Sequence, residues 1–196
     1  MLFDANEYES QTFEHLDLPK AKLENTTFYS CHFETCSLNE ASLKRSRLLD
    51  CSFSACDLSL ADVTDAEFSE TSFENTVAVG VNWSLTTQQA VLRAGLSFSD
   101  CVLKYTFFRG LELSECTFTN CLAHETDFSS AKLSGADFSG SDLQGCVFHN
   151  CDLSKANFVG AENYQINVLH TKVKGAKFGF PDAIGLLSGL GIELTI

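Results

Sequence analysis

The sequence predicts an all-β solenoid in which short extended segments stack turn upon turn. First, all nine cysteines of the 196-residue chain have numbers that leave a remainder of one on division by five. Second, fifteen of the seventeen phenylalanines leave a remainder of three. Third, phenylalanine recurs every twenty residues, from Phe13 to Phe73 and again from Phe98 to Phe178. A repeat this short cannot bury its apolar face alone, so neighbouring turns must stack to form one continuous core.

Each five-residue unit reads small, polar, Leu or Phe, polar, polar. Over the 32 units in residues 11–85 and 96–180, Leu or Phe fills the centre in 25, and Ala, Cys, Ser or Thr precedes it by two in 26. Residues two apart on an extended segment share a face, so the small residue and the centre point inward together. Four units separate equivalent phenylalanines, so four units make one turn. Equivalent side chains should then form ladders at the strand spacing of ~4.8 Å.

The cysteine spacing also raises metal-site and disulfide interpretations. The pattern CxxxxC occurs in CHFETC, CSFSAC, CTFTNC and CVFHNC. Zinc sites usually have two to four residues between ligands and matched histidines, and the five histidines here share no such spacing. Cysteines twenty residues apart are close enough in principle to be bridged: Cys31 and Cys51, Cys36 and Cys56, Cys101 and Cys121. Interchange with Ala favours a small, reduced interior residue instead, so we expect no metal and no cofactor.

With these units the chain resembles the pentapeptide repeat proteins, whose consensus is Ala-Asp/Asn-Leu-x-x. Clear copies include AKLEN, CSLNE, ADFSG and CDLSK, and the resemblance covers nearly the whole chain. It implies a right-handed quadrilateral β-helix, square in section, with one pentapeptide on each face.

The repeat is interrupted once, in the stretch SLTTQQAVLRAG after Trp83. From Phe73 to Phe98 is 25 residues, so either the ladder moves to the next face or five residues loop outward. The chain therefore divides into an N-terminal lobe (1–85), an irregular interruption (86–95), a C-terminal lobe (96–180) and a terminal segment (181–196). The interruption is either a tolerated kink or a partner-contacting loop, because solenoid insertions often emerge on the binding side. The candidate loop contacts are Thr86, Gln88, Gln89 and Arg93.

The terminal segment 181–196 departs from the repeat. Pro181 suits the first position of a helix, Asp182 its first turn and Gly191 its end, and a short alternating strand should follow. A solenoid must cover the open edge of its last turn, so a cap is one interpretation. The resemblance to gyrase-protecting family members implies another, a tail-to-tail dimer through Ile184, Leu187, Leu190 and Ile192.

The net charge of −13 is unevenly spread. Residues 48–92 contain no Lys or Arg and seven acids, all at outward positions of the repeat: Asp50, Asp57, Asp62, Asp65, Glu67, Glu70 and Glu74. Solubility is one interpretation, because inward positions are apolar and charges must face solvent. The other is mimicry of DNA. Some ten coils would carry about one net charge per 3.5 Å, roughly half the density of duplex DNA, on a rod that suits a basic saddle.

An enzyme is the class that the sequence favours least, because it holds no glycine-rich phosphate loop, nucleophile elbow or HExxH motif. The acidic N-terminus lacks the features of a secretory signal, and no apolar run reaches membrane-spanning length, so we expect a cytoplasmic protein.

The family resemblance implies a DNA mimic that binds a type II topoisomerase, DNA gyrase or topoisomerase IV, and protects it from a toxin or quinolone. The stretches GVNW, NYQI and LLSGLGIEL look closer to the antibiotic-immunity type than to the quinolone-resistance type. The alternative is a generic solenoid scaffold with a different protein partner.

Overall fold

The computed structural model describes residues 5–87 and 95–190, which form a parallel β-solenoid of about eight turns. The predicted fold class is confirmed. Face 1 carries β1 (Glu7–Glu9), β3 (Thr27–Tyr29), β5 (Arg47–Leu49) and β7 (Glu67–Ser69), paired in that order. Face 2 carries β2 (Thr12–Glu14), β4 (His32–Glu34), β6 (Ser52–Ser54), β8 (Ser72–Glu74), β9 (Ser97–Ser99), β10 (Thr117–Thr119), β11 (Asn157–Phe158) and β12 (Lys177–Phe178).

Faces 3 and 4 complete each turn without regular strands. Their turns are joined by single parallel bridges, such as Asp57 to Val77 on face 3 and Ser42 to Asp62 on face 4. Outside the interruption, the paired strands and bridges of the described residues join positions twenty residues apart. The period seen in the sequence is therefore the length of one turn.

Most units of the described chain end in a corner at which the residue two positions after the centre adopts left-handed backbone geometry. Twenty-three non-glycine residues of the described chain have positive φ, for example 55° at Asp50. This geometry costs most L-residues about 1–2 kcal/mol, whereas Gly, and sometimes Asn or Asp, adopt it readily. Gly95 is constrained further, because a Cβ on it would lie 2.7 Å from the Glu70 Cα.

A ladder of stacked phenylalanines runs along face 2. The ring centroids of Phe33 and Phe53 are 4.6 Å apart, and those of Phe73 and Phe98 are 4.7 Å apart. The second distance spans the interruption, where β8 pairs directly with β9. The ladder therefore stays on one face, and the core is continuous between the two lobes. Of the two alternatives left open by the sequence, the move to the next face is wrong.

A second series of buried aromatic side chains, separate from the face 2 ladder, moves from face 1 to face 4 at the interruption. Before it, Phe28 and Phe68 lie on face 1, and after it Phe108 and Phe128 lie on face 4. Trp83 makes the transition: its ring contacts Phe68 at 5.3 Å and is parallel to Phe108 at 5.9 Å. It begins a short 3₁₀ turn, Trp83–Leu85, in which the Ser84 amide donates to Asn82 Oδ1 at 3.2 Å.

The small residue two before each centre also bonds to the previous turn. The Cys36 thiol donates to the Phe13 carbonyl at 3.2 Å, and the Thr71 hydroxyl to the Leu48 carbonyl at 3.0 Å. These bonds span 23 residues, so each of them ties a unit to the preceding turn in addition to the backbone ladder. Sequence reasoning treated this position as filler and missed its role as a donor. The available signal was that Ser, Thr and Cys together outnumber Ala there.

All nine cysteines are free and buried, as the interior-filler interpretation predicts. Burial raises the pKa of the thiols of Cys51, Cys56 and Cys116 from 9.0 to about 11. Among residues 5–87 and 95–190, no group of three His, Cys, Asp or Glu side chains suits a metal ion.

The raised thiol pKa values predict a loss of stability at alkaline pH. Below pH 9 the thiols are protonated in both states, so their contribution to the free energy of unfolding is fully present. Between pH 9 and 11 the unfolded chain ionises first, and stability falls until the folded pKa is passed. We expect Cys51→Ser/Cys56→Ser/Cys116→Ser, which keeps the donors, to weaken this fall. Urea unfolding at pH 8 and pH 10.5 measures it, and an identical fall in both proteins would contradict the assignment.

A 3₁₀ helix, Asp182–Leu190, follows the last turn and packs Leu186 against the core. The predicted helix is present, with the tighter 3₁₀ winding. Side chains three apart eclipse in such a helix, so Ile184, Leu187 and Leu190 line one edge. Ile184 and Leu190 are about half exposed and Leu187 is partly buried. Ile192, Gly191 and the predicted strand lie outside the described residues. No helix in the described ranges has the length and apolar character needed to cross a membrane.

Candidate partner-binding surface

None of the seven predicted acids is buried, but they do not form one wall. The register distributes them over all four faces. Glu67 lies on face 1, and Asp50 and Glu70 lie at the corner of faces 1 and 2. The others lie elsewhere: Glu74 on face 2, Asp57 on face 3, Asp62 on face 4 and Asp65 at the corner of faces 4 and 1. The structure therefore brings Asp50, Glu67 and Glu70 together and separates the others from them.

Two of the acids are paired with basic residues of the preceding turn. Arg47 Nε lies 2.8 Å from Glu67 Oε2, and Lys44 Nζ lies 2.9 Å from Asp62 Oδ2. Although residues 48–92 contain no Lys or Arg, these two acids are compensated, because stacking brings in cations from just outside that segment. Partial burial opposes ionisation of Asp62, but hydrogen bonds from Thr64 and Lys44 outweigh it and lower the pKa of Asp62.

Asp57 and Asp62 also hold the backbone of their own units. Asp57 Oδ1 accepts from the Ser59 amide at 2.8 Å, and Asp62 Oδ1 accepts from the Thr64 amide at 3.1 Å. Such a local bond is typical of Asp in turns, and it recurs at Asp127. Asp at this position of the unit is thus structural. The acids that have no cation within 4 Å among the described residues are Asp50, Asp57, Asp65, Glu70 and Glu74.

A shallow groove of about 310 Å³ lies on face 1 beside these acids. Its lining comprises Tyr29, Arg47, Leu49, Asp50, Glu67, Ser69 and Glu70. We call it the acidic groove. Asp50 and Glu70 stand one turn apart on its rim, since their neighbours Leu49 and Ser69 are paired. Ser30 donates to Asp50 at 2.7 Å, which orients that carboxylate. Sequence reasoning missed Tyr29 and Leu49, although Tyr29, Leu49 and Ser69 follow one another at intervals of twenty residues and are therefore aligned.

The acidic groove suits basic side chains. Its rim carboxylates accept hydrogen bonds from Lys or Arg, and half-exposed Tyr29 offers an aromatic face to a cation. This arrangement is suited to binding a basic surface.

Backbone hydrogen bonds between neighbouring turns continue up to both ends of the interruption. The Thr87 amide donates to the Ala66 carbonyl at 2.9 Å, and the Ser97 amide to the Thr71 carbonyl at 3.2 Å. Thr86 is buried, and its hydroxyl donates to the Trp83 carbonyl at 2.7 Å, so it is not a surface contact. Gln88, Gln89 and Arg93 lie outside the described residues.

The family profile described as pentapeptide repeat region matches residues 26–92 and 95–168. The chain belongs to the pentapeptide repeat family. The two matched ranges meet at the interruption, where the spacing of the ladder changes from 20 to 25 residues. The match ends close to Tyr164, whose ring lies beside the stacked pair Phe158 and Phe178, at 5.6 Å from each.

Solved structures of another pentapeptide solenoid are similar. QnrB1 is described as a plasmid-mediated fluoroquinolone resistance protein. A trypsin-treated variant of it matches with a TM-score of 0.65 and 16% identity, over 94% of this chain and 100% of that one. The full-length protein matches with a TM-score of 0.56 and 17% identity, over 92% and 100%. A second trypsin-treated variant matches with a TM-score of 0.52 and 25% identity, over 96% and 90%. The first two matches show the shared fold alone. No curated protein sequence matches significantly.

Proposed function

We propose that this chain is a cytoplasmic DNA mimic that binds a type II topoisomerase, DNA gyrase or topoisomerase IV, and protects it from a toxin or quinolone. The observation that carries the proposal is the acidic groove, with unpaired carboxylates on a rod of fixed shape. The solenoid shared with QnrB1, a fluoroquinolone resistance protein, supports a protective role. The partner surface is a basic DNA-binding saddle.

The charge distribution supports the same partner. Residues 1–85 carry 15 acids and 5 bases, a net −10, whereas residues 96–180 carry 9 acids and 7 bases, a net −2. About eight turns at ~4.8 Å give a rod of about 38 Å, shorter than ten coils would be. The charge of −13 then averages about one per 3 Å, against one per ~1.7 Å in duplex DNA. Such a rod is attracted to basic surfaces and repelled by nucleic acid.

The experiment that tests the proposal is DNA supercoiling by gyrase and decatenation by topoisomerase IV, with and without the protein, in the presence of a poison. We expect protection from the poison that weakens as salt rises, because exposed charges are screened. No effect on activity or on poisoning by quinolone or toxin at either of two salt concentrations would favour a scaffold with a different partner.

We also propose a homodimer through the terminal segment, because a two-fold protein matches a two-fold enzyme. Its interface is the edge of Ile184, Leu187 and Leu190, with Ile192. Leu187→Glu/Leu190→Glu should give a monomer with the solenoid intact, since each turn contacts only its neighbours. Sedimentation measures the state of association, and circular dichroism the fold. Val159→Glu, at a half-exposed site on face 2, is the control and should stay dimeric. If the unmodified protein sediments as a monomer, the proposed dimer is wrong.

A further inference from the structure

An apolar ridge lies at the corner of faces 3 and 4, formed by Leu60, Val79, Tyr105 and Phe107. Leu60 is 61% exposed, Tyr105 57% and Phe107 40%. The Leu60 amide donates to the Val79 carbonyl, and the Gly80 amide to the Lys104 carbonyl, so the corners Leu60, Gly80 and Tyr105 belong to successive turns. Monomeric proteins seldom group large exposed apolar side chains in this way without using them for binding.

The ridge occupies backbone positions that do not favour its residues. Leu60 and Tyr105 have φ of 58° and 59°. Of the 23 non-glycine residues with positive φ in the described chain, these two alone are large and apolar. Gly, Asn and Asp are the residues that suit this geometry. Both side chains are more than half exposed, so their burial offsets little of this backbone cost. Residues that disfavour their backbone geometry without a clear gain in packing point to a functional surface.

Gly80 makes room for the ridge. A Cβ on Gly80 would lie 2.7 Å from Leu60 Cδ2, so the absence of a side chain lets Leu60 extend along the corner. The turn that contains Gly80 is also uncharged, since residues 75–92 include no Asp, Glu, Lys or Arg. This band interrupts the acidic surface that would imitate a phosphate backbone.

Charged residues near the ridge determine the orientation in which a partner segment would bind. Asp57 lies on face 3 in the same turn as Leu60, and it has no cation within 4 Å in the described ranges. Lys104 lies beside Tyr105 and, within the same ranges, has no carboxylate within 4 Å. A complementary segment would therefore place Lys or Arg near Asp57, apolar side chains on the ridge, and an acidic or neutral residue near Lys104.

We infer that the apolar ridge binds such a segment of the topoisomerase, which rests on the proposed function. The acidic groove lies at face 1 and its corner with face 2, on the opposite side of the rod from the ridge. A single partner can therefore contact both the acidic groove and the apolar ridge only if the rod lies in a cleft, with the groove against one wall and the ridge against the other. The groove contact is screened by salt, whereas burial of the ridge is not. The ridge also provides a contact that duplex DNA does not offer.

The test compares Leu60→Asn/Tyr105→Asn with a control, Ala55→Asn. Asn tolerates left-handed geometry better than Leu or Tyr, so thermal unfolding should show no loss of stability in the double variant. Ala55 is exposed at a corner with φ of 52°, away from the ridge, so its variant makes the same backbone change. Binding to immobilised gyrase and topoisomerase IV is measured at low and high salt.

At high salt, we expect the double variant to bind whichever enzyme is the partner about tenfold more weakly than the unmodified protein, and the control to bind as tightly as it does. Equal affinity of the double variant and the control at high salt overturns the inference and leaves the proposed function standing. Failure of the unmodified protein to bind either enzyme at low salt overturns the proposed function, and the inference with it.

Discussion

Phe98→Ala should lower the free energy of unfolding by about 3–5 kcal/mol, because it removes a buried ring and leaves a cavity in a close-packed core. Phe98 is fully buried and stacks on Phe73 at 4.7 Å and on Phe118 at 5.4 Å. It also meets Trp83 edge-on at 5.4 Å. It is the first phenylalanine of the face 2 ladder after the interruption, so its replacement removes the stacking contact with Phe73 that joins the two lobes. Equilibrium urea unfolding measures the change.

Phe180→Ala is the matched control, with the same change of side chain at a site 84% exposed. It should shift the free energy of unfolding by less than about 0.5 kcal/mol. If the two variants lose similar stability, the face 2 ladder is not the source of cohesion between turns.

Neutralising Asp50, Glu70 and Glu74 together, as Asn, Gln and Gln, should weaken binding to the topoisomerase about tenfold at low salt. Each exposed charge contributes little alone, about 0.2–1 kcal/mol, but a basic saddle faces all three at once. Asp57 and Asp62 are kept because their carboxylates bond to the backbone of their own units. Asn suits the left-handed geometry at Asp50, so the fold should be unchanged. The affinity of this variant should also depend less on salt, which titration calorimetry measures.

The control carries the same change of net charge in the second lobe: Asp100→Asn, Glu115→Gln and Glu162→Gln. If position matters, this control retains most of the affinity and of the salt dependence. If both triple variants bind alike, net charge alone attracts the partner and the acidic groove has no special role. If neither variant is weakened, the mimicry argument is lost.

Period and register could be predicted from the sequence because one spacing governs every turn. Cysteines at a five-residue period and phenylalanines at a twenty-residue period fix which residues face inward and which stack. The path of the chain at the interruption could not be predicted, because two placements satisfied the same count. Packing decides between them: keeping Phe73 on Phe98 preserves an aromatic stack that a move to the next face would break.

The surface was harder to predict than the core. Charge along the chain suggested an uncompensated acidic segment, but stacking adds neighbours that lie a turn away. Arg47 reaches Glu67 at a separation of 20 residues, and Lys44 reaches Asp62 at 18. The second separation depends on side-chain length and direction, which no period encodes. Thr86 is a different case: its number leaves a remainder of one on division by five, so it occupies the inward small-residue position, and it does point inward to bond with Trp83.

The 25-residue step across the interruption shows how little chain entropy separates one turn length from another. Closing a turn costs entropy that grows only with the logarithm of its length, so lengthening it from 20 to 25 residues adds about 0.2 kcal/mol. The turns before and after the interruption keep their length of twenty residues, because each turn pairs with its neighbours and with no distant segment. An insertion in such a chain is therefore a local event. The length of one turn can change without altering the entropic cost of forming any other.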